Sequence, residues 1–122
     1  MKIKTNELEG AALDWAVAKA VGHGVSATVY YSGLNQYGRV ESSRAIDLGE
    51  YSPSANWSQG GPLIERYEIA LSPEQFGWEA AVYDGGNMNP VDGQGKTPLV
   101  AACRAIVAAK LGYAVDVPDE LS

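Results

Sequence analysis

The sequence predicts an α+β fold in which two main helices pack on a small antiparallel sheet. Three observations lead there. Residues 6–22 and 97–112 carry apolar residues at helical spacing between a capping residue at one end and a glycine at the other. Residues 25–32, 39–46 and 78–84 are short runs rich in β-branched, aromatic or alternating residues. The glycine-bounded stretch 33–38 is suited to closing the first two runs into a hairpin, which makes the sheet antiparallel.

Residues 1–5 alternate, with Ile3 on one face and Lys2 and Lys4 on the other, and read as a short strand. A helix follows. Asn6 is placed as its N-cap, Glu7 and Glu9 lie near the positive end of the helix dipole, and Gly22 is placed to end it in a left-handed conformation. Leu8, Ala12, Trp15 and Ala16 make one apolar stripe, and Leu13, Val17, Ala20 and Val21 make a second beside it. So wide a face predicts contact on more than one side, with a sheet and a second helix or with another subunit.

Gly60 and Gly61 ahead of Pro62 predict a short helix over residues 62–67, because a missing N–H is harmless in a first helical turn. Ser72-Pro73 reads as a turn. Residues 78–84 then read as a strand with Trp78, Ala80 and Val82 on one side and Glu79, Ala81 and Tyr83 on the other, closed by the turn residues Asp84, Gly85, Gly86 and Asn87. Residues 88–96 read as a loop. Thr97-Pro98 starts the second main helix, with a hydroxyl at the cap and proline at the first helical position. Leu99, Ala102, Cys103, Ile106 and Lys110 keep helical spacing and Gly112 stops it, while Ala101, Ala105, Ala108 and Ala109 let another backbone approach closely.

With 122 residues, 46% of them apolar, the chain reads as one domain over residues 1–122, able to bury roughly two thirds of its unfolded surface. No apolar run approaches the about 18 residues of a membrane span, and the polar start predicts no signal peptide, so a cytoplasmic protein is expected. Cys103, the single cysteine, cannot form an internal disulfide and reads as a small buried hydrophobe. Fifteen carboxylates oppose nine scattered basic residues, a formal charge of −6. Duplex nucleic acid is thereby excluded as a partner, because binding it requires a basic surface that releases counterions.

No catalytic group, metal site or cofactor stands out. His23, the one histidine, sits between Gly22 and Gly24 and reads as a solvated turn residue. No histidine or cysteine pair supplies the about four ligands of a zinc site. Gly93-Gln94-Gly95-Lys96-Thr97 resembles the end of a phosphate-binding loop, but the first glycine of that pattern falls at Pro90 and Pro98 follows the threonine. It reads as a loop and a capped helix.

The richest polar chemistry lies in residues 51–62. Trp57 offers a ring for stacking, worth roughly 1–3 kcal/mol on a nucleobase, while Asn56, Ser58 and Gln59 offer neutral hydrogen-bond groups and Tyr51 a second ring. Gly60 and Gly61 expose backbone N–H groups, and a helix opening at Pro62 favours a phosphate there. Arg66 is the natural charge partner. These eight residues are the candidate site for a nucleotide-like ligand. The structural alternative has Trp57 plugging the core, the polar residues capping turns, and Arg66 paired with Glu65 or Glu68. Tyr30, Tyr31 and Tyr37 flank the expected hairpin, and alternation puts Tyr30 and Tyr31 on opposite sheet faces.

Three blocks of sequence, residues 2–22, 52–66 and 97–118, resemble in the same order the NinX-like family of small bacteriophage proteins. The resemblance implies a phage accessory protein acting in the host bacterial cytoplasm, dispensable for building the particle and aimed at the host. By analogy with small phage proteins that sequester the nucleotide signals of bacterial defence, the expectation is a non-enzymatic homo-oligomer holding such a signal unchanged. A protein that masks a host protein, and an enzyme that degrades the signal, are the alternatives.

Overall fold

The alanine-rich segment after Thr97 is the beam on which the molecule is built. In a computed structural model of the chain, which describes residues 1–22, 51–83 and 90–121, the elements run β1 (Lys2–Lys4), a 3-10 turn (Thr5–Glu7), α1 (Gly10–Val21), α2 (Trp57–Arg66), β2 (Ala70–Glu74), β3 (Gly77–Val82), β4 (Val91–Gly95), α3 (Pro98–Leu111), β5 (Ala114–Asp116) and a closing 3-10 turn (Asp119–Leu121). The α+β class is as expected. The strands expected at 25–32 and 39–46, the turn at 84–87, and His23, Tyr30, Tyr31 and Tyr37 lie outside the described residues.

Thr97 caps α3 as the sequence predicts: its Oγ1 accepts from Val100 N at 3.1 Å, and Gly112, at φ 97°, ends the helix with its N–H on Ala108 O. Two opposite faces of α3 are buried. Cys103 and Val107 pack with Leu8, Leu13, Trp15 and Val17 around α1. Ala101, Ala102, Ala105 and Ile106 pack with Ile69, Ala80 and Val82 on the three-stranded sheet. Both apolar stripes of α1 are used: most of them meet α3 and the β1/β5 pair, while Ala20 and Val21 pack against the cluster on the three-stranded sheet.

The three-stranded sheet has the order β2-β3-β4, all antiparallel, and β1 pairs antiparallel with β5 through Ile3 and Val115. Trp78, Ala80 and Val82 face α3, as alternation requires. Two expectations are corrected here. Residues 91–95 form a strand: Gly93 pairs with Ala80 and Gly95 with Trp78. Glycine is poor in strands, yet here it is required, because a Cβ on Gly93 would overlap Ala105 N and lie 2.7 Å from Ala101 O, and one on Gly95 would lie 2.6 Å from a Val100 methyl. Ser72 and Pro73 lie inside β2 rather than in a turn; β2 is an edge strand, where proline's missing donor is tolerated, and the turn is Gln75-Phe76.

The start of α1 is also corrected. Asn6 falls in the 3-10 turn and its Oδ1 accepts from Gln94 N at 3.4 Å, while Arg104 Nη1 donates to Gln94 O at 2.7 Å. The outer edge of β4 is thus closed at Gln94 by two side chains. Gly22 does end α1 in the left-handed region, at φ 71°.

The backbone-to-backbone seat of β4 on α3 has a direct consequence. Gly93→Ala should lower the unfolding free energy by about 1–3 kcal/mol or more, whereas Gln94→Ala, on the exposed side of the same strand, should change it by less than about 0.5 kcal/mol. Urea denaturation of the two variants measures both.

Candidate functional site

Most of the polar chemistry of residues 51–62 is engaged in folding the segment itself. Ala55 N and Asn56 N both donate to Ser52 O, closing a turn that leads into α2. Asn56 is the N-cap: its Oδ1 accepts from Ser58 N at 2.9 Å and from Ser58 Oγ at 2.7 Å. Gln59 Oε1 accepts from Ser52 N at 2.6 Å. The turn is tied to α1 by Asp14, only 5% exposed, whose Oδ1 accepts from Ser54 N at 3.0 Å.

The helix therefore begins at Trp57, five residues before the expected start at Pro62. Pro62 forfeits one intrahelical bond, and Gly61 before it has no Cβ to clash with the pyrrolidine ring. Gly60 N donates to Asn56 O at 2.8 Å and its α-carbon is pressed against Pro53 O and a Leu99 methyl, which leave no room for a Cβ. Its amide belongs to the helix and is not presented to a ligand.

The early start sets the rotational register of α2. Gln59, Leu63 and Arg66 share one face, while Trp57, nine residues before Arg66, lies half a turn round the axis at 100° per residue. Tyr51, Gln59, Leu63 and Arg66 line, with Val21 and Gly22 from the end of α1, a hollow of about 560 Å³. Trp57, Asn56, Ser58, Gly60 and Gly61 are not among its lining residues. Trp57 is 56% exposed, so it does not plug the core. Burial, then the nearby Cys103 and Asp14, push the Tyr51 phenol up to about 12, so its ring and hydroxyl meet the hollow uncharged. The guanidinium of Arg66 stands 5.2 Å from the Tyr67 ring centroid, with Lys110 Nζ 5.6 Å from the same ring. Arg66 makes no ion pair with Glu65, Glu68 or any other described residue.

A second hollow, of about 530 Å³, opens where the β2–β3 turn meets the end of β4. Phe76, Trp78, Gln94, Lys96 and Arg104 line it with Asn6 and Glu74. The sequence assigns none of these residues to a site, although Lys96 lies in the glycine-rich stretch considered above and Arg104 is a cation in the middle of an alanine-rich helix. Cys103 is 2% exposed and burial, then Asp14, pushes its thiol up to about 12, which suits a core residue and no nucleophile. Trp15 Nε1 is buried with no hydrogen-bond partner among the described residues. Among the described residues no three His, Cys, Asp or Glu side chains are grouped to hold a metal, and no helix is long and apolar enough to cross a membrane.

The sequence profile of the family described as Bacteriophage P22, NinX matches residues 4–110. This chain belongs to that family. The matched span carries every described residue lining both hollows and stops short of β5, so the pairing of β1 with β5 lies partly outside it. No curated protein matches the NinX-family chain.

Asp14 yields a test of how the 51–56 turn is held. Burial raises its carboxyl above the ordinary 3.8, against the lowering effect of its hydrogen bonds from Ser54. A folded pKa above the unfolded one means that the folded state holds the proton more tightly. Its contribution to stability is therefore greatest below pH 3.8 and declines as pH rises through the raised value. Asp14→Asn keeps an acceptor and should flatten that decline at equal or higher stability at pH 7, while Asp14→Ala strands Ser54 N and should cost about 1–3 kcal/mol. Denaturation curves from pH 3 to pH 8 distinguish these outcomes.

Proposed function

We propose that this NinX-family protein is a phage accessory protein that captures a small nucleotide-derived signal of the host and holds it without turning it over. The hollow between α1 and α2 is the binding site. Tyr51 supplies the ring against which a base lies, Gln59 a neutral hydrogen-bond group, Leu63 and Val21 the apolar wall, and Arg66 the charge for a phosphate. The protein acts in the host cytoplasm as a homo-oligomer, with Trp57 on the opposite face of α2 available to a neighbouring copy.

The observation that carries this reading is the convergence of Tyr51, Gln59 and Arg66 on one hollow, with Arg66 lacking a counter-charge among the described residues. A cation left unpaired beside an uncharged ring suits an anion with a planar group. Holding such a ligand intact also needs no general base, and Asp14, the carboxylate near Tyr51 and Cys103, is engaged by Ser54 N.

The test is ligand capture. Protein incubated with extract from cells whose defence signalling is active is repurified and denatured by heat, and the released small molecules are identified by mass spectrometry. An intact nucleotide-like compound is expected, retained at least about tenfold less by Arg66→Ala, since a charge-assisted hydrogen bond contributes about 1.5–3 kcal/mol. Trp57→Ala should retain it in full as a monomer and shift only the molecular mass in solution. A chemically altered product, or equal retention by Arg66→Ala, overturns the reading.

A further inference from the structure

We propose that the second hollow, at the tip of the three-stranded sheet, is a binding site for a small planar aromatic ring carrying a phosphate, with Phe76 and Trp78 taking the ring and Lys96 and Arg104 the anion. It shares no lining residue with the hollow between α1 and α2.

The first support is an aromatic exposed without a packing role. Phe76 is 87% exposed at the tip of a two-residue turn, the most exposed of the large hydrophobic side chains described. Leaving such a ring in water forgoes the stabilisation of burial, and one face of it is open to the same hollow that Trp78 lines from β3. Two rings on adjoining turn and strand positions make a stacking platform.

Charge is the second. The formal charge of the chain is −6, yet the described lining of this hollow carries Lys96 and Arg104 against the single carboxylate of Glu74. Neither cation forms an ion pair with a described residue. Arg104 is the more telling of the two. It is half-buried, and burial lowers its pKa, an effect that the nearby Glu9 carboxylate offsets only in part. Its Nε donates to Leu8 O at 2.9 Å and its Nη1 to Gln94 O at 2.7 Å. Those bonds fix the plane of the guanidinium and leave its second terminal nitrogen without a partner among the described residues, so that Arg104, which lines the hollow, offers a preorganised donor for a phosphate oxygen. Lys96 adds a flexible point charge beside it.

The third is size: about 530 Å³ falls within the roughly 300–1,000 Å³ of small-molecule sites. The glycine-rich stretch 93–97 thus fails as a triphosphate-binding loop but still delivers Lys96 to an anion, because Gly93 and Gly95 bring β4 so close to α3 that Lys96 and Arg104 meet at one opening.

Titration of isotope-labelled protein with adenosine 5′-monophosphate, followed by NMR, tests the assignment, with adenosine and inorganic phosphate as separate arms. The monophosphate should bind saturably, shift the Trp78 indole and the Gly77 and Gly95 amides, and bind at least about tenfold tighter than either part alone. Phe76→Ala, exposed enough to leave folding intact, and Lys96→Glu should each weaken it about tenfold or more. Adenosine binding as tightly as its monophosphate overturns the role of the cations. No saturable binding at millimolar concentration, or binding unaffected by both variants, overturns the site. Shifts confined to the Gln59 side-chain amide and the Val21 and Gly22 amides place the ligand in the other hollow and also refute it, without bearing on the capture experiment with Arg66→Ala.

Discussion

Strand β4 rests on helix α3 with almost nothing between their backbones. Gly93 lies against the peptide groups of Ala101, Arg104 and Ala105, and Gly95 against Val100 and Ala101. Close packing of this kind removes water from both backbones and needs small residues on each side. From that seat the other face of α3, through Cys103 and Val107, receives α1 and the β1/β5 pair. One helix therefore belongs to two apolar clusters at once.

Both hollows inherit their geometry from this arrangement. Arg104, whose peptide group is part of that contact, reaches Leu8 O and Gln94 O with its side chain, so it joins the segment before α1 to the edge of β4 while lining the sheet-tip hollow. On the other side, Leu99 receives the bare α-carbon of Gly60, which docks α2 close enough to α3 for Gln59, Leu63 and Arg66 to face the end of α1. The Asp14 carboxylate, buried below, then holds the turn from which α2 starts.

Elements whose signals are local were legible in the sequence: the Thr97 cap with Pro98 behind it, the left-handed stop at Gly22, the alternation of Trp78, Ala80 and Val82, and the core position of Cys103. Elements that exist because of distant contacts were not. Residues 91–95 have the composition of a loop, and only the helix lying against them makes glycine the residue a strand needs. Pro73 reads as a turn until β2 is known to be an edge. For α2 the sequence marks a start at Gly61-Pro62, but the Asn56 side chain caps the helix five residues earlier, and Gly61 relieves the proline clash within it. That five-residue difference rotated the candidate site, keeping Tyr51, Gln59 and Arg66 together and carrying Trp57 to the far side. The polar richness of residues 51–62 was real, yet Ser54, Asn56 and Ser58 engage the fold itself.

If α3 joins the two clusters into one cooperative unit, native-state amide hydrogen exchange should report it directly. The slowest amides of α1 around Val17, of β3 around Ala80 and of α3 from Ala102 to Val107 are expected to exchange only through global unfolding, with one common free energy and one common dependence on denaturant. Loss of protection in α1 and the β1/β5 pair at a clearly lower free energy, with β3, β4 and α3 still closed, would contradict the account.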